Sequence, residues 1–145
     1  EGEYDHGKSE ELDVLAALDY CFDELKIKDL YVIGWSFGTE IALQYARDKR
    51  IKELILLSPP MLSTTDEDLD FWIKDGRAIT ALIPELDDYL KPDAAKLKFS
   101  RVKNLKQIDV AGAKHLWVGE PMVYLVLSEI VKVIAPSRLP LPEQI

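Results

Sequence analysis

A serine at position 36, a histidine at position 115 and a pair of aspartates at 87 and 88 are the residue types that together make a hydroxyl reactive. A serine hydroxyl is a poor nucleophile near neutral pH and needs an adjacent base. Imidazole can be that base, and a carboxylate then fixes its tautomer and stabilises the imidazolium that forms. Ser36 stands in Gly34-Trp35-Ser36-Phe37-Gly38, the G-x-S-x-G pattern of a nucleophile elbow if a strand precedes it and a helix follows. Such a turn strains the serine backbone and lifts Oγ above the sheet edge. Flanking glycines are expected because side chains there would collide with the neighbouring strand and helix. The helix behind the turn offers its N-terminal dipole and backbone N–H groups to charge developing on a substrate oxygen. The pattern alone also describes a glycine-punctuated turn with a surface serine, so its partners decide the matter.

The sequence has two histidines. His115 lies in GAKHLWVGE, just after the last strand expected, on the sheet edge where Ser36 should emerge. Standing alone it would read as a surface histidine ahead of a helix. His6 lies in the polar N-terminal stretch EGEYDHGK and reads as solvated. Asp87 and Asp88 follow the strand before that of His115, and Ser…Asp…His is one of the chain orders in which this chemistry occurs.

The elements that must position these groups are legible from apolar periodicity. Val14, Leu18, Cys21, Phe22 and Leu25 predict one face of a helix capped by Ser9 and reaching about Lys26. LYVI before Gly34 predicts a strand buried on both faces, and Ile41, Ala42, Tyr45 and Ala46 predict the helix after it. IKELILLS (51–58) is a second buried strand stopped by Pro59-Pro60. A short helix over 66–74 has Thr65 as cap and ends at Gly76. AITALI (78–83) is a third strand, with PELDDYLKP the loop at its carboxyl end, and a short helix follows from Asp93 to about Arg101. KQIDVA (106–111) alternates like a strand near a sheet edge. The last helix has Pro121 in its first turn and an apolar stripe of Val123, Leu127, Ile130, Val131 and Ile134. Alternating strands and helices predict an α/β fold, a parallel sheet with helices on both faces. Ligands of such sheets gather at the carboxyl ends of the strands, where the Ser36 turn and both loops fall.

Composition narrows the classes. The 145 residues make one domain's worth of chain or less, and the net charge of −8 without a basic cluster argues against nucleic acid or an anionic membrane as partner. The single cysteine, Cys21, excludes an internal disulfide, offers no metal-ligand spacing and is expected as a buried, inert thiol. No signal peptide or membrane span is evident, so a cytoplasmic location is expected, with no cofactor and no metal.

LYVIGWSFG, ITALIPELDDYLKP and VAGAKHLWVGE, in that order, resemble the elbow, acid loop and histidine loop of the α/β-hydrolase superfamily. LLSPP, ALIPELDDYLKP and GAKHLWVGE are similar to its small, nearly lidless bacterial serine hydrolases. The resemblance covers nearly the whole chain. It implies Ser36 as nucleophile, His115 as general base and then acid, Asp87 as orienting acid with Asp88 its rival, and the Phe37 N–H as an oxyanion donor. The leading expectation is a serine hydrolase of small ester-like substrates; Trp35, Met61 and Trp117 could line the acyl or alcohol pocket, and core packing would explain each of them equally well.

The same resemblance implies a larger sheet, with strands ahead of the elbow strand that are not among these 145 residues. Residues 1–145 are therefore expected to be the C-terminal portion of an α/β-hydrolase domain, completed by a further N-terminal segment or a partner copy. The implied further segment would hold the second oxyanion donor, and loss of one donor costs about 100- to 1,000-fold in rate. An edge left unpaired on the elbow strand would also favour aggregation. The alternative is an inactive fold kept for binding or scaffolding. Nucleotide binding at the turn is disfavoured, because neither G-x-G-x-x-G nor a P-loop lysine is present.

Overall fold

Four short runs rich in Leu, Ile and Val, Leu30–Trp35 (β1), Ile51–Leu57 (β2), Ala78–Pro84 (β3) and Leu105–Val110 (β4), lie side by side in an all-parallel sheet of order β1-β2-β3-β4. The computed structural model describes Gly7 and residues 9–142; the N-terminal stretch with His6 falls outside them. Helices α1 (Glu10–Asp19), α2 (Phe37–Tyr45), α3 (Asp66–Asp75), α4 (Pro92–Lys98) and α5 (Glu120–Ile134) alternate with the strands.

Successive residues of a strand point to opposite faces, and β2 divides accordingly. Leu54 and Leu56 join Leu43 of α2, Trp72 of α3 and Ala95 of α4 in one core, while Ile55 and Leu57 join Ala113, Trp117, Val126 and Ile130 in the other. Right-handed crossovers between strands added in one direction place α2, α3 and α4 on the same face, leaving α5 to cover the other.

The short helix over 66–75 forms as its ends dictate. Thr65 accepts from the Asp68 N–H, the Asp68 carboxylate accepts from the Thr65 N–H, and Gly76 ends the helix at φ 78°. At the opposite end of the sheet from the predicted site, Arg77 donates to the carbonyls of Arg47, Asp48 and Ile51. Its guanidinium hydrogen-bonds Asp75 and holds that carboxyl below the usual carboxylate range.

Several expectations need correction. Ser9 precedes α1 in a helical conformation and makes no side-chain cap, and α1 runs on into a π-helical turn, Tyr20–Glu24. There the Leu25 N–H donates to the Tyr20 carbonyl, and this wider turn rotates Leu25 off the buried face on which Leu18 and Phe22 stay; Cys21 is half-buried. In α5 the inward stripe is Met122, Val126, Ile130 and Val133, while Val123 and Ile134 are exposed. That helix is apolar nearly all round, so two offset stripes fit a 3.6 period equally well. Finally, Ile33, in the strand expected to be buried on both faces, is 46% exposed, and Trp35 just beyond it is 49% exposed; among the described strands β1 pairs only with β2.

Candidate active site

The strand-to-helix turn has the strained geometry its sequence predicts. Ser36 sits between β1 and α2 at φ 51° and ψ −125°, a region that non-glycine residues seldom occupy. The surroundings over-determine this conformation. The Ser36 N–H donates to the Leu57 carbonyl at 2.9 Å, and the Ser36 carbonyl accepts from both the N–H and the hydroxyl of buried Thr39. Three further positive-φ residues, Ser58, Met61 and Trp117, lie in the loops after β2 and β4. Backbone strain is thus concentrated at the carboxyl edge of the sheet.

The two glycines of the motif are not equivalent. A Cβ on Gly34 would lie 2.5 Å from the Gly38 carbonyl oxygen and 2.7 Å from Thr39 Cα, both backbone atoms that cannot swing away. A Cβ on Gly38 would meet nothing within 4 Å, which corrects the expectation that both positions are sterically closed. Gly34→Ala should therefore disrupt the turn and destabilise the fold by several kcal/mol. Gly38→Ala, inside a helix, should be neutral or stabilising by up to about 1 kcal/mol. Chemical denaturation of the two variants measures the contrast, and equal losses would contradict it.

Three side chains from three different strand ends meet at this edge. His115 Nε2 lies 2.7 Å from Ser36 Oγ, and His115 Nδ1 lies 2.9 Å from Asp87 Oδ2. Asp87 is 1% exposed, and its other oxygen accepts the N–H groups of Tyr89 and Leu90 at 2.8 and 3.4 Å. That Asx-type turn aims one carboxylate oxygen at the imidazole and occupies the other. Asp88 is exposed to solvent, so the two neighbours are separated by the side of the loop they face. The Tyr89 ring stacks obliquely on the imidazole, with centroids 4.8 Å apart. An imidazole held so can accept the serine proton through Nε2 while the carboxylate holds the proton on Nδ1.

The other predicted residues are distributed around this chain. Phe37 opens α2 directly after Ser36, which puts its backbone N–H in the first turn of the helix. Trp35 and Trp117 line one apolar cleft of about 210 Å³ with Leu57, Leu116, Val123 and Leu127. Met61 belongs to the core on the opposite face of the sheet and is not brought to that cleft. Among the described residues no group of three or more His, Cys, Asp or Glu side chains could hold a metal ion, and no helix is long and apolar enough to cross a membrane.

Two contacts escaped sequence reasoning. The buried Glu40 carboxylate of α2 accepts from the Ser63 and Thr64 N–H groups, tying the loop after β2 to the turn helix. Ser58, the residue after β2, donates its hydroxyl to the His115 carbonyl. Its one signal in the sequence is a serine stranded between a strand and Pro59-Pro60.

A parallel sheet wound with helices on both faces, carrying a serine on a strained strand-to-helix turn, defines a hydrolase-type α/β architecture. The chain belongs to the alpha/beta hydrolase fold family, whose model matches residues 5–82. That match includes the Ser36 turn and stops short of Asp87 and His115. Among solved structures, an alpha-beta serine hydrolase homologue from Coxiella burnetii is similar at TM-score 0.71 and 20% identity, over 94% of this chain and 62% of that one. A serine hydrolase without lid from Xanthomonas campestris is similar at TM-score 0.72 and 20% identity, over 97% and 62%. The Pyrococcus furiosus esterase Pf2001 gives 0.67 and 21%, over 90% and 62%. The chain thus spans about 62% of the length of these structures. No curated protein matches it.

Proposed function

We propose that this chain carries the reacting groups of a serine hydrolase that cleaves small carboxylic esters or related acyl compounds through an acyl-enzyme. Ser36 Oγ attacks the substrate carbonyl carbon as His115 Nε2 takes its proton, and Asp87 stabilises the imidazolium formed. The Phe37 N–H donates to the oxyanion. His115 returns the proton to the leaving alcohol as the carbon–oxygen bond breaks. It next deprotonates a water that attacks the acyl-enzyme, and Ser36 leaves with the proton back on Oγ. The observation that carries this reading is the continuous hydrogen-bonded line from Ser36 through His115 to buried Asp87. Trp35 and Trp117 are the pocket residues of this reading, through the small apolar cleft they line. The single, half-buried Cys21 fits a reducing cytoplasm.

The open edge of β1, where Ile33 and Trp35 are about half exposed, belongs in this reading to a further strand of a longer polypeptide that also brings the second oxyanion donor. Support comes from the 62% share of the similar structures that this chain spans. The complete protein should hydrolyse p-nitrophenyl acetate, and residues 1–145 alone should do so about 100- to 1,000-fold more slowly. Equal rates would contradict the further strand. A dimer of the short chain with full activity would assign the edge to a second copy instead. A complete protein that labels at Ser36 with an organophosphonate yet turns over no ester in a panel would favour the binding or scaffold reading.

A further inference from the structure

The carbonyl oxygen of His115 accepts two side-chain hydrogen bonds from outside its own loop. Ser58 Oγ donates at 3.0 Å and Trp35 Nε1 at 3.2 Å. Trp35 is the last residue of β1 and the chain neighbour of Ser36, and Ser58 directly follows β2. The loop bearing His115 follows β4, the edge strand farthest from β1 in the sheet order. Its backbone is thus tied to the two strands beneath the serine. Ser58 is 1% exposed, holds φ 50°, and its N–H donates to the Leu82 carbonyl at 3.1 Å. A serine kept buried in a region that favours glycine points to a use for its hydroxyl.

Resting on the reading of Ser36 and His115 as the reacting pair, we propose that Ser58 and Trp35 are positioning residues. Together they latch the His115 backbone so that the imidazole stays within hydrogen-bond reach of Ser36 Oγ. A carbonyl oxygen has two lone pairs, and here both are taken. A shift of the loop by 1 Å would break the 2.7 Å contact between Nε2 and Oγ, and misplacement of that size can be severe for a proton transfer. Because Trp35 adjoins the nucleophile, the latch makes the hydroxyl and its base move as one body.

The test measures second-order labelling of the complete protein by a fluorophosphonate in four forms: wild type, Ser58→Gly, Trp35→Phe and the double variant. Ser58→Gly removes the hydroxyl at a φ that glycine adopts freely, so thermal stability should hold while labelling slows. Trp35→Phe keeps a ring and removes the N–H. Each single variant should slow labelling about threefold, since one tether remains. The double should slow it about thirtyfold or more, beyond the product of the singles. The His115 Nδ1–H proton resonance should stay sharp in the singles and broaden away in the double. A double variant no slower than the product of the singles would overturn the latch. Should the double not fold, Ser58→Gly decides alone: slower labelling at unchanged melting temperature supports the latch, and an unchanged rate overturns it. If the wild type fails to label at Ser36, the hydrolase reading falls. The Nδ1–H resonance then decides the latch by itself: lost in the double it stands, and kept it falls.

Discussion

Replacing Ser36 by alanine in the complete protein should lower ester turnover by about 10⁴- to 10⁶-fold while leaving the fold in place. The residual rate would come from oxyanion donation and substrate binding, which do not need the hydroxyl. Stability should change little, because alanine is no more strained than serine at φ 51° and the groups that pin the turn are backbone atoms and Thr39. Steady-state kinetics on p-nitrophenyl acetate and a thermal melt measure the two quantities separately. A loss below tenfold in a folded variant would mean that Ser36 is not the attacking group.

Asp87→Asn should cost about 10⁴-fold, through the tautomer of His115. The Asp87 oxygen that faces away from the ring accepts the N–H groups of Tyr89 and Leu90, so that position requires an acceptor. An asparagine placed there keeps its carbonyl oxygen toward those donors and turns its NH₂ toward His115 Nδ1. Nδ1 then becomes an acceptor, the proton moves to Nε2, and the ring can no longer take one from Ser36. Asp88→Asn alters an exposed side chain and should leave turnover within about twofold. Kinetics of the two variants side by side check the assignment. A larger loss from Asp88→Asn than from Asp87→Asn would reverse the roles of the two carboxylates.

The parts of the fold that could be read in advance are those set by local rules. β1, the turn and α2 follow from an apolar run, two glycines and a helical period. The helix at 66–75 follows from Thr65, Asp68 and Gly76. Ser36 and His115 stood out because few residues of their type fell at the right edge of the sheet. Other features depend on tertiary contacts that leave little trace in sequence. Asp87 and Asp88 are adjacent and chemically identical, and only the side of the loop each faces tells them apart; in the sequence a family resemblance alone favours Asp87. The all-round apolar surface of α5 hid which stripe is inward, and an i→i+5 turn in α1 displaced a face that regular spacing had drawn. The burial of Glu40 leaves no trace in sequence because a carboxylate on a helix is ordinarily solvated, whereas here two backbone donors hold it inside. The Ser58 hydroxyl finds its acceptor on a backbone atom 57 residues away, and no side-chain pattern announces such a contact.

The most direct test of the central claim, that Ser36, His115 and Asp87 converge to make one reactive hydroxyl, is to map a fluorophosphonate adduct on the complete protein by peptide mass spectrometry. The account predicts a single adduct on the peptide containing Ser36, lost when His115 is replaced by alanine. An adduct on a different serine, or labelling of Ser36 that persists undiminished without the His115 imidazole, would contradict it.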